Sequence, residues 1–174
     1  MRIKETKLFQ FNELSDEAKE TAIQSCCEFN IDHDWWDCTY DDAKNVGLKL
    51  TSFDLDRNRH CEGQFYVDAS TTAFDITKEH GKDCETFQTA TNFIAESAKL
   101  LETIPEKLDD DGYDDNEYDR EQAQDELDAD FLKSILEDYS IMLQKECEYL
   151  QSEEAIIETI EANEYEFTED GQLA

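Results

Sequence analysis

The chain is short of proline, glycine, basic residues and long apolar runs, and each shortage closes off a class of protein. One proline and five glycines stand in 174 residues. The glycines do not cluster, so there is no glycine-rich loop of the kind that cradles phosphate. No proline-rich or serine-rich tract marks a linker. No apolar run approaches the roughly 20 residues of a membrane helix. The opening MRIKETKLFQF carries charges where a secretory signal would carry an apolar core. A soluble protein of the cytoplasm is therefore expected, with no membrane association. Cys26, Cys27, Cys38, Cys61, Cys84 and Cys147 then read as reduced thiols, mostly on apolar faces.

Chemistry-bearing motifs are equally scarce. His33, His60 and His80 lie apart, and no Ser-His-Asp spacing is present that periodicity would bring together. There is no C-x-x-C pair, and the adjacent Cys26 and Cys27 suit a tetrahedral ion poorly. His33 with Cys38, or His60 with Cys61, would be only partial ligand sets, so the histidines are expected at the surface. Trp35-Trp36 reads as one indole in the core and one at a surface or interface. The chain is not expected to be an enzyme or to hold a cofactor.

Negative charge is abundant. Aspartate and glutamate number 46 against 15 lysines and arginines, for a net charge of -31 and a pI near 4.1. Such a chain repels nucleic acid and anionic membranes and attracts basic proteins or cations. The 39% hydrophobic and 11% aromatic shares still support a folded core. Salt adaptation is a bland explanation for the charge, but six cysteines and many large aromatics fit it poorly.

The charge is densest from Glu106 to Asp130. Here lie Asp109, Asp110, Asp111, Asp114, Asp115, Glu117, Asp119, Glu121, Asp125, Glu126, Asp128 and Asp130, opposed only by Lys107 and Arg120. Uncompensated burial would cost several kcal/mol per carboxylate, so this run must face water or something positive. An EF-hand is excluded by register. With Gly112 at the sixth position, Lys107 falls at the first and Tyr118 at the twelfth, where ligating acids are required.

The remaining elements follow from periodicity. Lys7 to Phe11 alternates as an edge strand. Ser15 caps a helix of about four turns carrying Ala18, Ala22, Cys26 and Phe29 on one face. Asp34 can cap a second helix ending at Gly47. Residues 48–55 and 61–68 form a hairpin around the polar turn 56–59. Ser70 to His80 is a short helix, and Asp83 opens another that runs to Pro105. Leu132, Leu136, Tyr139, Leu143, Cys147 and Leu150 make a seam along a helix of about 30 residues, roughly 45 Å long. Ser152 caps a further segment, and a strand near 164–168 returns to the N-terminal sheet. The expected fold is α+β and a single domain over 1–174. It would hold one small antiparallel sheet packed with helices and a long acidic helical hairpin in the C-terminal half. A sub-boundary near 105–116 would separate an α/β part (1–105) from a helical part (117–163) and the returning strand (164–174).

Several segments together resemble a loose family of small acidic proteins encoded by bacteriophages and prophages. They are Leu14-Ser15-Asp16-Glu17-Ala18 with Ala22-Ile23, Asp34-Trp35-Trp36, Tyr40-Asp41-Asp42-Ala43 with Gly47, Phe53-Asp54-Leu55-Asp56-Arg57, and Tyr165 to Gly171. That family has no assigned activity, so no functional residue carries over. The resemblance implies a setting, a phage or mobile element inside a bacterial host. Small acidic proteins there are often inhibitors of host defence, including anti-CRISPR and anti-restriction proteins that imitate nucleic acid. The charge spacing is compatible with mimicry. A helix with an acid at every second residue presents about one charge per 3 Å, against about one per 3.4 Å along a DNA strand. The expectation is thus a non-enzymatic binding protein whose acidic surface occupies a basic nucleic-acid-binding groove on a host protein. An antitoxin-like partner that grips a basic protein through the helical seam is the alternative. The seam could also pair two copies as a homodimer.

Overall fold

The computed structural model describes residues 7–174. Residues 1–6, which carry most of the opening read as lacking a leader, lie outside the described residues. The fold is α+β. Its elements, in order, are β1 (Phe9–Gln10), α1 (Asp16–Ser25), α2 (Asp37–Asn45), β2 (Leu48–Asp54), β3 (His60–Phe65), α3 (Ala69–Glu79), α4 (Glu85–Thr103), α5 (Glu117–Leu150), α6 (Glu153–Ala162) and β4 (Glu166–Phe167). Among the described residues no helix is long and apolar enough to cross a membrane.

The four strands do not share one sheet. β1 pairs antiparallel with β4, setting Phe9 opposite Phe167, and β2 pairs antiparallel with β3 as a separate hairpin. The expectation of a single sheet is corrected accordingly. β3 also stops at Phe65, earlier than alternation implies. The Tyr66 and Val67 amides both turn to the Gly47 carbonyl, and the Asp68 carboxylate accepts from the Thr71 amide at 2.8 Å to cap α3.

The chain forms two compact units. One joins the residues up to Trp35 with Gln144–Ala174. Its core is Phe11, Leu14, Ala18, Ala22, Cys26, Ile156, Ile160 and Phe167, drawn from both ends of the chain. Ser15 and Ser152 each cap their helix by accepting an amide three residues on, from Ala18 and Ala155. Asn30 donates to the Leu150 carbonyl at 2.9 Å and accepts from Thr159 at 2.7 Å. Gly171 closes the unit at φ +82, where a Cβ would lie 2.0 Å from the Ala18 carbonyl oxygen. The α1 helix is shorter than expected. It ends at Ser25, and Cys26 and Phe29 reach the same core from its C-cap and the turns beyond.

The other unit is Trp36–Leu143. α2 lies against β2, and its N-cap is Trp36 with no side-chain cap; Asp34 does not fill that role. Trp35 and Trp36 are both half-buried, in place of one ring in the core and one at a surface or interface, and Trp36 meets Phe53 edge-on at 5.5 Å. Phe131 of α5 stacks between Phe65 of β3 (5.8 Å) and Phe93 of α4 (4.3 Å). Gly63 lets α5 approach the hairpin, since a Cβ there would sit 2.9 Å from the Leu136 side chain. α4 and α5 run antiparallel, as the pairs Thr89–Asp138, Phe93–Phe131 and Ser97–Gln124 show. The acidic stretch is therefore the tip and first turns of this hairpin.

Candidate functional site

The loop between α4 and α5 is built by its own carboxylates. Asp109 accepts from the amides of Asp111 and Tyr113, each at 2.9 Å, while its own amide donates to the Tyr113 carbonyl. The tight reversal falls on Gly112, at φ +84. Asp114 accepts from the amides of Lys107 (2.9 Å) and Asn116 (3.0 Å) and pairs through its second oxygen with Arg120. Those amide bonds, Lys107 first, and then the guanidinium hold its carboxyl down to about 2. Lys107 pairs with Asp115 at 2.9 Å, which raises the lysine. Asn116 donates to the Pro105 carbonyl at 2.9 Å.

The twelve sequence-predicted acids thus divide by role. Asp109 and Asp114 shape the loop, and Asp115 is engaged with Lys107. All but Asp114 and Asp128 are exposed. Asp128 is half-buried and accepts from Gln124 one turn earlier at 2.6 Å. At about 100° per residue the α5 acids fall on two stripes. Glu117, Glu121, Asp125 and Asp128 form one. Asp119, Glu126 and Asp130 form the other, on roughly the opposite side. Acids in the first turn also suit the positive end of the helix dipole.

The second stripe borders a groove between α4 and α5. Two adjoining depressions of about 230 and 330 Å³ share Glu96, Leu127 and Asp130. Apolar side chains line them from Phe93 and Phe131 to Leu100 and Ile104, and the first also carries the polar Thr89, Asn92 and Ser134. Sequence reading placed the acids but not this groove. Its signal was the apolar spacing of Phe93, Leu100 and Ile104 on α4, on the side of the helix that meets α5 at Phe93.

Sequence reading also missed a partly buried polar chain. His80 is enclosed, its side chain 8% accessible, rather than at the surface. Its Nδ1 lies 2.7 Å from the Thr86 hydroxyl, and its Nε2 lies 3.4 Å from an Asp42 oxygen. Tyr139 donates to the same Asp42 oxygen at 2.8 Å. The His80 contact chiefly, with help from Tyr139, pulls the Asp42 carboxyl below its ordinary value against the opposing effect of burial. Burial first, then Asp42, raises the Tyr139 phenol. The order Thr–His–Asp is that of a nucleophilic triad, but Thr86 is 2% accessible and no substrate carbonyl can reach it. The chain instead ties α2, the end of α3, the start of α4 and α5 together.

Among the described residues no three His, Cys, Asp or Glu side chains converge as metal ligands would. Of the six thiols only Cys26 and Cys61 are buried. Cys27, Cys38 and Cys84 are exposed, which corrects the expectation of mostly apolar settings. Comparison with protein-family models, curated proteins and solved structures returns no match.

Proposed function

We propose that this is a non-enzymatic binding protein that presents a held array of carboxylates to the nucleic-acid-binding groove of a basic protein. In the setting implied by the phage resemblance, that partner belongs to a host defence system in the bacterial cytoplasm. The observation that carries the proposal is that all of the acids but Asp114 and Asp128 are exposed, on an ordered backbone. Seven of the twelve acids lie on the opening turns of α5, and the loop before it is closed by backbone amides that donate to the Asp109 and Asp114 carboxylates. A fixed array meets a cationic groove without the ordering cost that a floppy acidic tail would bear on binding.

The helical seam offers less as a contact surface. Tyr139 and Leu143 are fully buried, Leu136 lies against Gly63, and the Leu150 carbonyl accepts from Asn30. Those groups are engaged within the fold, which weighs for the acidic surface over a seam-mediated partner or homodimer.

The test is capture of bacterial nucleic-acid-binding proteins on immobilised protein at low and high salt, followed by elution with DNA or RNA oligonucleotides. Replacing Asp110, Asp111, Asp119, Glu126 and Asp130 with their amides removes surface charge and leaves Asp109 and Asp114 in place to shape the loop. The partner should be salt-sensitive, displaced by nucleic acid and lost in the variant. A partner held equally by the variant, or indifferent to nucleic acid, would refute the proposal.

A further inference from the structure

The groove between α4 and α5 has a definite chemistry. Its floor is Phe93, Leu100, Ile104 and Leu127, and its rim carries Glu96, Glu126 and Asp130 against one base, Lys99. We propose that it is the seat of a basic amphipathic helix of the partner. This rests on the reading of the partner as basic and names the element that makes contact.

Each part of the proposal follows from a separate property. The occupant is apolar on one face because the floor is apolar, and basic on its flanks because the rim carries three carboxylates to one amine. It is helical because α4 and α5 satisfy their own backbones. An extended peptide would find no sheet edge to pair with, whereas a helix brings its hydrogen bonds internally satisfied. From Phe93 to Ile104 the floor spans about 17 Å, three turns, so anchors at about i, i+4, i+7 and i+11 would fill it. A second copy of this chain is disfavoured, since two molecules each of net charge -31 would bring like-charged rims together.

The probe is a synthetic leucine–lysine peptide of about fourteen residues, four helical turns, with leucine on one face only. A scrambled peptide of identical composition and charge is the control. Binding is read by fluorescence anisotropy at about 0.15 M salt, where the Debye length is about 8 Å. The amphipathic peptide should bind about tenfold tighter than the scrambled one, the difference being the buried leucines. Thr103→Trp and Ala123→Trp fill the groove from its rim and floor and should each weaken the amphipathic peptide about tenfold while leaving the scrambled one unchanged. Glu126→Gln with Asp130→Asn should weaken it about tenfold, and the matched pair Glu121→Gln with Asp125→Asn, the same charge change on the other stripe, by less than about twofold. Far-UV circular dichroism checks that each variant is folded.

Equal effects of the two charge pairs, or indifference to both tryptophans, would leave only long-range attraction and overturn the proposal. So would sedimentation showing a dimer that either tryptophan dissociates. Failure here is distinguishable from failure of the mimic reading. Peptide binding that obeys the groove variants, with no nucleic-acid-displaceable partner, would sink mimicry alone. Charge-dependent capture of such a partner, with the groove variants silent, would sink the groove alone.

Discussion

Gly171→Ala, measured against Gly112→Ala, isolates a steric effect from a conformational one. Both glycines have nearly the same left-handed backbone, φ +82 and φ +84. An alanine pays the same conformational cost at each, about 1 kcal/mol. At Gly112 an added Cβ meets nothing within 4 Å, so the cost ends there. At Gly171 it would lie 2.0 Å from the Ala18 carbonyl oxygen and 2.9 Å from its carbon, both backbone atoms of α1 that no rotamer change can move aside. The terminal turn must lift away, straining the Thr168–Gln172 bonds and the β1–β4 ladder. Overpacking of this kind adds about 1–3 kcal/mol, so the total should reach about 2–4 kcal/mol. Urea titration followed by circular dichroism gives both values. A Gly171→Ala cost no greater than that of Gly112→Ala would show that the C-terminal turn does not dock on α1 as described.

Tyr139→Phe should destabilise by roughly 1.5 kcal/mol, the low end for a hydrogen bond to a carboxylate, because the Asp42 side chain is 40% accessible and can rehydrate. The folded Asp42 carboxyl is held below its unfolded value, so its contribution is complete above that value, near pH 4, and disappears as pH falls through the folded one. The gap between Tyr139→Phe and the parent should therefore narrow below about pH 4; a gap that stays constant under acid would mean that Asp42 is not the acceptor. In the native protein Cys27, Cys38 and Cys84 should react promptly with Ellman's reagent, whereas Cys26 and Cys61 should wait for denaturant. Burial shields both and pushes the Cys61 thiol up to about 11. Prompt labelling of all six would contradict the burial of these two.

The helices, the 48–65 hairpin and the caps at Ser15 and Ser152 were legible because each is written in spacings of two, three or four residues. The exposure of the acidic run was legible too, since no fold could bury so many uncompensated carboxylates. Roles within that run were not. Asp109 and Asp110 are neighbours of the same type, yet one closes the loop and the other faces water, and only the path of the backbone distinguishes them. Asp34, a good cap by type, was passed over because the chain enters α2 two residues later.

What the sequence determined by itself is what near neighbours and total charge determine: α+β class, helix and strand positions, and a surface too acidic to bury. Tertiary structure alone decided that four strands form two ladders and that His80 is enclosed between Thr86 and Asp42. It also brought Tyr139 to a carboxylate 97 positions away and left an apolar groove with an acidic rim beside the α4–α5 contact. These features join residues far apart in the chain. Local periodicity carries no information about such meetings, which the packing of whole elements determines.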